Sequence, residues 1–395
     1  MSIGCWSEWR KLPVTLTELC INTTLRCGQT FRWRRTAEDE WSCTLQGRIV
    51  SLRQDATHLH YRSFPSHFNA GDISKSDNTE ALIYHYFDLA TNLSDLYGQW
   101  ALADVNFKKK ALHFTGIRIL RQDAWETLVS FICSSNNNIT RISQMVEKLC
   151  ADYGPLIGHI DEKPYHGFPS PSALTGTGVE SRLRELGFGY RAKYIYRTAL
   201  MVANERKPGW LDSLRNPIRP AFGQLDTADE VIEYRQAHEK LLELQGVGPK
   251  VADCICLMGL GWGEAVPVDT HVWQIAQRDY KFGKGKQKSL TKATYDAVGD
   301  HFRKLWGKEA GWAHSVLFTA DLKTFSDRLN TAKDANKESL HIKEESDGEP
   351  LTKNEFRNLV FLKRELTDGP EDDKTSMVDS AASTTTTKRR RTRRR

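Results

Sequence analysis

Leu241-Leu242-Glu243-Leu244-Gln245-Gly246-Val247-Gly248-Pro249-Lys250-Val251-Ala252-Asp253-Cys254 reads as a helix end, a tight Gly-x-Gly turn and the start of a second helix. Gly246 and Gly248 supply backbone freedom where a positive φ or a close approach is needed. Pro249 sits where the new helix begins, and its missing N–H costs nothing there. Val251, Cys254, Ile255 and Met258 follow at helical spacing on one face. This is a helix–hairpin–helix. Its turn amides sit at a helix N-terminus and suit a DNA phosphate. Lys250 stands in the first turn of the second helix, where the positive end of the macrodipole disfavours an ammonium. Burial against the apolar face would favour the neutral amine further, and a neutral amine is a nucleophile. Spacing alone leaves that reading level with a plain phosphate contact.

The 395-residue chain is long enough for more than one domain and a sizeable core. No run approaches the ~18 apolar residues of a membrane helix. Met1-Ser2-Ile3-Gly4-Cys5-Trp6 has no charged lead and no apolar core, so no secretory signal is expected. The eight cysteines are scattered without a C-x-x-C pair. That fits free thiols in a reducing compartment, with no disulfide framework and no zinc site. A net charge of +6 permits nucleic-acid binding without demanding it.

The first ~65 residues favour strands. Cys27-Gly28-Gln29 reads as a turn before the strand Thr30-Phe31-Arg32-Trp33, and Trp41, Cys43 and Leu45 alternate with polar residues. Ile49-Val50-Ser51-Leu52 and His58-Leu59-His60-Tyr61 complete an antiparallel meander with one buried face. From about residue 79 the period is helical. Leu82, Ile83, Tyr86 and Phe87 share a face, and Ser94 can cap the next short helix. Asp123-Ala124-Trp125-Glu126 has capping-box spacing before an apolar helix. Ser134-Ser135-Asn136-Asn137-Asn138 is a polar break, followed by an amphipathic helix through Ile139, Ile142, Met145, Val146 and Leu149. Gly187-Phe188-Gly189-Tyr190-Arg191 precedes a helix to about 204, Val266-Pro267-Val268-Asp269-Thr270-His271 opens one to about Tyr280, and the last carries Trp312, Val316, Leu317 and Phe318. Residues 281–292 form a Lys- and Gly-rich loop. After about 326 apolar residues thin out and disorder is expected, with Leu359-Val360-Phe361-Leu362 the one apolar patch. Residues 388–395, Lys-Arg-Arg-Arg-Thr-Arg-Arg-Arg, have the form of a nuclear import signal or of an electrostatic tail for DNA.

Asp269 separates the two readings of Lys250. As the residue before a helix it is an ordinary N-cap. Helix amides keep such a carboxylate ionised. A fixed negative charge beside a neutral amine suits cleavage of an N-glycosidic bond. The transition state there is cation-like at the sugar C1′, which the carboxylate stabilises and the amine then captures.

Gly246-Val247-Gly248 with Lys250, followed by Val266-Pro267-Val268-Asp269, resembles the helix–hairpin–helix DNA glycosylase superfamily. Ser130-Phe131-Ile132-Cys133-Ser134-Ser135-Asn136-Asn137-Asn138, Lys250-Val251-Ala252-Asp253-Cys254-Ile255-Cys256-Leu257-Met258 and Ile275-Ala276-Gln277-Arg278-Asp279-Tyr280 are similar to eukaryotic 8-oxoguanine DNA glycosylase/AP lyases. Gly28-Gln29-Thr30-Phe31-Arg32-Trp33 and Gly311-Trp312-Ala313 add to a likeness that covers about residues 5 to 325. The resemblance implies that Lys250 is a Schiff-base nucleophile and Asp269 the charge stabiliser and proton handler. It implies a flipped base, removal of 8-oxoguanine and of formamidopyrimidine-guanine opposite cytosine, then β-elimination 3′ to the lesion. By position the Gly28 carbonyl would accept the N7–H that oxidation adds, and Cys254 and Phe318 would sandwich the base. Without the resemblance Gly28 reads as a turn glycine and Cys254 and Phe318 as core. Asn136, Arg141 and Arg191 match residues that fill the gap and read the orphaned cytosine, Tyr190 a wedge, and His271 a phosphate contact. The carbonyls of Leu242, Leu244 and Val247 would hold a structural cation at the hairpin, and no cofactor is required.

The chain departs from the family at His314, where the family has a glutamine that reads the guanine edge. A neutral imidazole offers one donor and one acceptor, so weaker or pH-sensitive base reading is expected. The rivals are an endonuclease III-like pyrimidine-lesion glycosylase and a non-catalytic DNA-binding hairpin module. The first usually carries a four-cysteine iron–sulfur loop, and no cysteine follows Cys256. The second needs no lysine–aspartate pair. The expected architecture is α+β: an N-terminal antiparallel sheet domain with short helices over 1–115, a two-part α-helical glycosylase body over 116–325, and a disordered, basic-ended tail over 326–395. A monomer is expected. Its partners would be duplex DNA containing oxidised purines and downstream repair proteins, with no membrane. It would act in the nucleus, and a mitochondrial fraction is compatible.

Overall fold

A computed structural model describes residues 6–65, 77–224, 232–283 and 289–325. The N-terminal strands are β1 (Arg10–Pro13), β2 (Arg34–Ala37), β3 (Glu40–Leu45), β4 (Arg48–Gln54) and β5 (His58–Pro65), with the single turn α1 (Ile21–Thr24) after β1. They form one antiparallel sheet in the order β1-β5-β4-β3-β2. Trp41, opposite Leu52, which in turn faces Tyr61, anchors one face. That face packs on Ile83, Tyr86 and Phe87, at and just beyond α2 (Thr79–Tyr86).

Two expectations for this sheet are corrected. The segment Thr30-Phe31-Arg32-Trp33 is not a strand, and pairing starts at Arg34. Its polar groups are satisfied in a loop instead, with the Arg32 guanidinium on Glu126 at 2.7 and 2.8 Å. Nor does the sheet have only one buried face. The small hairpin β6 (Leu156–Ile160) and β7 (Lys163–His166) covers the other side, packing Ile157, Ile160 and Tyr165 on Ile49 and Phe64. Ser42 and Thr44 are buried in consequence, and each finds a partner. Ser42 Oγ lies 2.6 Å from Ser51 Oγ, and Thr44 Oγ1 donates to the His166 carbonyl at 2.8 Å.

The remaining helices are α3 (Leu93–Ala103), α4 (Val105–Ala111), α5 (Ala124–Ile132), α6 (Ile139–Tyr153), α7 (Val179–Glu185), α8 (Arg191–Leu200), α9 (Tyr234–Leu242), α10 (Pro249–Met258), α11 (Thr270–Tyr280), α12 (Lys292–Trp306) and α13 (Ala310–Asp321). They share one apolar core, which also takes in Cys27 and Phe31 from the loop before β2. At its centre lies α10, where every residue from Val251 to Met258 is buried. It is apolar around most of its circumference rather than on one face, as a central helix should be.

Local signals explain the helix ends. Asp123 caps α5 by accepting from the Glu126 amide at 2.8 Å, and Asn138 caps α6 by accepting from Arg141 at 2.9 Å. Glu126 does not return the capping-box bond, because Arg32 holds it. The cap of α3 is Asn92, not Ser94. Ser94 sits inside the first turn with its amide and hydroxyl on Glu18. Cys20, Cys27, Cys43, Cys133, Cys150, Cys254 and Cys256 are all free and buried. Among the described residues no helix is long and apolar enough to cross a membrane. The apolar patch 359–362, the basic run 388–395 and part of the loop 281–292 lie outside the described residues.

Candidate active site

The hairpin between α9 and α10 is pinned from α8. Thr198 Oγ1 donates to the Gln245 carbonyl at 2.9 Å, and the Tyr194 ring lies under Gly246. Gly246 has φ +78°, and a Cβ there would stand 2.7 Å from Tyr194. A side chain is therefore excluded twice, by backbone strain and by contact. Gly246→Ala is expected to destabilise the fold by about 2 kcal/mol or more, read as a fall in Tm. An unchanged Tm contradicts this account of the turn. Gly248 is the N-cap of α10 and Pro249 its first residue. Among the described residues nothing accepts from the amides of Gly248, Lys250 or Val251. These are the donors an anion would meet.

Behind the hairpin lies a cavity of about 50 Å³, enough for a few water molecules. Lys250, Asp269, Gly28, Cys254, His314 and Phe318 all line it, although they come from four separate parts of the chain. Lys250 Nζ lies 3.4 Å from Ser134 Oγ and 5.1 Å from the centroid of the Phe131 ring. Asp269 is the N-cap of α11 and accepts from the Val272 amide at 2.9 Å. Cys254 is 2% exposed, and burial pushes its thiol up to about 12 against the pull of Lys250. It is a neutral wall here, not a nucleophile. Both Cys254 and His314 feel the charges of Lys250 and Asp269, which places the two within electrostatic reach of one centre.

Gly28 has φ +84°, and a Cβ there would meet Ile139 Cδ1 at 2.9 Å. Among the described residues nothing donates to its carbonyl. The next residue holds the loop. Gln29 Nε2 donates to the Arg118 carbonyl at 2.7 Å, its Oε1 accepts from Leu120 at 2.9 Å, and its own carbonyl accepts from Gln122 at 2.7 Å.

His314 is buried with no described hydrogen-bond partner on either ring nitrogen. The Gly311 carbonyl one turn back is engaged by Ser315 Oγ at 2.9 Å. Burial lowers the His314 pKa from 6.5 to about 4, with Asp269 opposing the shift. The ring is neutral at neutral pH. Phe318 is half-buried, with its ring 6.2 Å from that of His271 and nearly perpendicular to it. His271 itself is exposed and does not line the cavity.

A second cluster flanks the cavity. Asn136 has φ +47° in the loop after α5. The Tyr190 hydroxyl donates to the Ser135 carbonyl at 3.1 Å, and Arg191 Nη2 donates to both the Ser135 carbonyl and, at 3.2 Å, the Asn136 carbonyl. Tyr190 is 47% exposed, whereas Arg191 is 4% exposed and lies over the Tyr190 ring at 4.6 Å. Arg141 is exposed in the first turn of α6. The expected gap-filling groups are thus together, with Arg191 held on the loop rather than free in solvent.

The family model for the 8-oxoguanine DNA glycosylase N-terminal domain matches residues 11–128. That of the HhH-GPD superfamily of base excision DNA repair proteins matches residues 129–299. The N-glycosylase/DNA lyase of Saccharomyces cerevisiae is 39% identical over 80% of this chain and 86% of its own length. The N-glycosylase/DNA lyase OGG1 of Arabidopsis thaliana is 38% identical over 80% of each chain. The chain belongs to the 8-oxoguanine N-glycosylase/DNA lyase family. As a member it is a base-excision-repair enzyme with glycosylase and lyase activity. A solved structure of MBOgg1 in complex with a low-affinity DNA ligand is 25% identical with a TM-score of 0.64, covering 81% of this chain and 98% of that one. The Clostridium acetobutylicum 8-oxoguanine glycosylase/lyase, in complex with duplex DNA containing cytosine opposite 8-oxoguanine, is 25% identical with a TM-score of 0.63 over 77% and 91%.

Several residues around this glycosylase/lyase cavity had no role assigned from sequence. Phe131 and Ser134 border Lys250, and Gln29 braces the Gly28 loop. Gln29 had a weak signal: a glutamine beside a turn glycine, ahead of the aromatic pair Phe31 and Trp33, that proves 3% exposed. Phe131 and Ser134 had none beyond core and turn composition.

Proposed function

We propose that this glycosylase/lyase removes 8-oxoguanine, and formamidopyrimidine-guanine, opposite cytosine in duplex DNA through a Schiff base on Lys250. The carrying observation is that Lys250 and Asp269 line one cavity with Gly28, Cys254, His314 and Phe318. The C1′–N9 bond breaks and its electron pair leaves with the base. Asp269 stabilises the cationic sugar, and the Lys250 amine bonds to C1′ through its nitrogen lone pair. Asp269 takes the proton that Lys250 gives up. The sugar ring opens to a protonated imine as O4′ takes that proton from Asp269. A C2′ proton then passes to the excised base, which left as an anion, and the freed electron pair expels the 3′ phosphate and leaves the nick. The unpartnered Gly28 carbonyl supports acceptance of the extra N7–H, and the neutral Cys254 and the Phe318 ring support a sandwich.

The hairpin amides, with the exposed His271 beside Phe318, support phosphate contact. Tyr190 is the wedge, and Asn136, Arg141 and Arg191 read the orphaned cytosine. The Leu242 and Val247 carbonyls accept no described hydrogen bond, and Leu244 accepts one at 3.3 Å from Val247. That all-oxygen donor set fits a hard cation, which would steady the turn against phosphate. The basic run 388–395 supports action in the nucleus. The test is a strand-labelled duplex with 8-oxoguanine or guanine opposite cytosine. Excision and a nick at the damaged base alone are expected, and equal cleavage of both duplexes sinks the reading.

His314 gives this reading its own prediction. One imidazole donor and one acceptor replace an amide with two donors and an acceptor. His314→Gln is expected to tighten binding of the damaged duplex about fivefold to tenfold. Between about pH 6.5 and 4 the unfolded chain binds a proton the fold refuses, so acidification through that window lowers stability. His314→Gln flattens that slope. Unchanged affinity together with an unchanged dependence of Tm on pH removes His314 from the site.

A further inference from the structure

Asp253 is a buried carboxylate that the reaction above does not use. It follows Lys250 by three residues on α10 and is 1% exposed. The Tyr234 hydroxyl of α9 donates to its Oδ1 at 2.5 Å, and the Tyr295 hydroxyl of α12 donates to its Oδ2. His238 Nε2 lies 3.6 Å from Oδ1 and donates to the Pro249 carbonyl at 3.2 Å. Helices α9, α10 and α12 thus meet on one carboxylate. Such a group, fully partnered, fixes the elements around it.

The Tyr295 hydroxyl also accepts, from the Val268 amide at 3.4 Å. Val268 immediately precedes Asp269. One hydroxyl therefore touches the helix that carries Lys250 and the loop that carries Asp269. We propose that Tyr295 is a positioning residue: by bridging Asp253 to the Val268 amide, it sets Asp269 against Lys250 across the cavity. Burial and the Asp253 carboxylate raise the pKa of Tyr295, so its hydroxyl keeps the proton it donates. Removing that hydroxyl leaves the Val268 N–H and one Asp253 oxygen short of a partner. The loop then has reason to shift, and a displacement on the order of 1 Å costs about 10² in rate. Tyr295 does not line the cavity, and it is remote in sequence from the hairpin amides.

This inference rests on the Lys250 and Asp269 roles proposed above, and its test separates the two. In the full chain, Tyr295→Phe is expected to slow single-turnover excision of 8-oxoguanine about tenfold to hundredfold. Borohydride trapping on a duplex with a preformed abasic site should stay within about twofold of wild type. The exposed aldehyde needs Lys250, but no longer needs Asp269 to stabilise base departure. Asp253→Asn, which keeps the side-chain volume, is expected to give the same split. Wild-type excision in Tyr295→Phe overturns the inference. So does a parallel fall of excision, trapping and Tm, which marks a purely structural role. A wild-type enzyme that neither excises nor traps overturns the Schiff-base reading instead.

Discussion

Lys250→Gln is expected to slow excision of 8-oxoguanine by at least about 10³-fold, because the covalent route to C1′ is lost while the rest of the cavity stands. The substitution is mild for the fold. The amine has Ser134 Oγ at 3.4 Å, the face of the Phe131 ring and the Cys254 thiol as its neighbours. Each is worth about 1 kcal/mol or less, so Tm should barely move. Duplex affinity should also hold, since the hairpin amides are backbone groups and Gly246 sets their geometry. Single-turnover excision and duplex binding, measured on the same preparation, check this pattern. Loss of affinity with retained turnover would instead make Lys250 the phosphate contact that spacing alone left open.

Asp269→Asn separates a charge from a cap. Asparagine caps a helix about as well as aspartate, so the bond to the Val272 amide, 2.9 Å in the wild type, is retained and stability should change little. The fixed negative charge is gone, and with it the stabilisation of the cationic sugar. Excision should fall about 10²- to 10³-fold, the scale seen when one preorganised electrostatic partner is removed. Asp269→Ala removes cap and charge together and should cost a further ~1 kcal/mol of stability. Paired Tm and excision measurements on the two variants decide the matter. Near-wild-type excision in Asp269→Asn would leave Asp269 as a cap and nothing more.

The chemistry-bearing parts of this fold were legible because they obey local rules. The hairpin announces itself by two glycines and an N1 proline, and the structure puts Gly246 in the left-handed region and Pro249 at the first residue of α10. Asp123 and Asp269 are the caps that their short polar side chains ahead of a helix predict. What was not legible depends on distant neighbours. The β6–β7 hairpin contains Gly158 and Pro164 and alternates weakly, so nothing local marked it. Its presence buries the second face of β3 and β4, which the strand pattern alone assigned to solvent. Ser94 lost the α3 cap to Asn92 because Glu18, 76 residues away, claims it. Arg191 and Asp253 are charged side chains buried on partners from other elements, which no spacing reveals. His314 was singled out as a departure, but its unpartnered ring nitrogens follow from the packing of α13.

Borohydride reduction during turnover tests the central claim most directly. With an 8-oxoguanine·cytosine duplex the wild-type enzyme is expected to give a covalent protein–DNA adduct, mapped by peptide analysis to Lys250, and Lys250→Gln none. An adduct on another residue, or excision with no trappable adduct, would contradict the assignment.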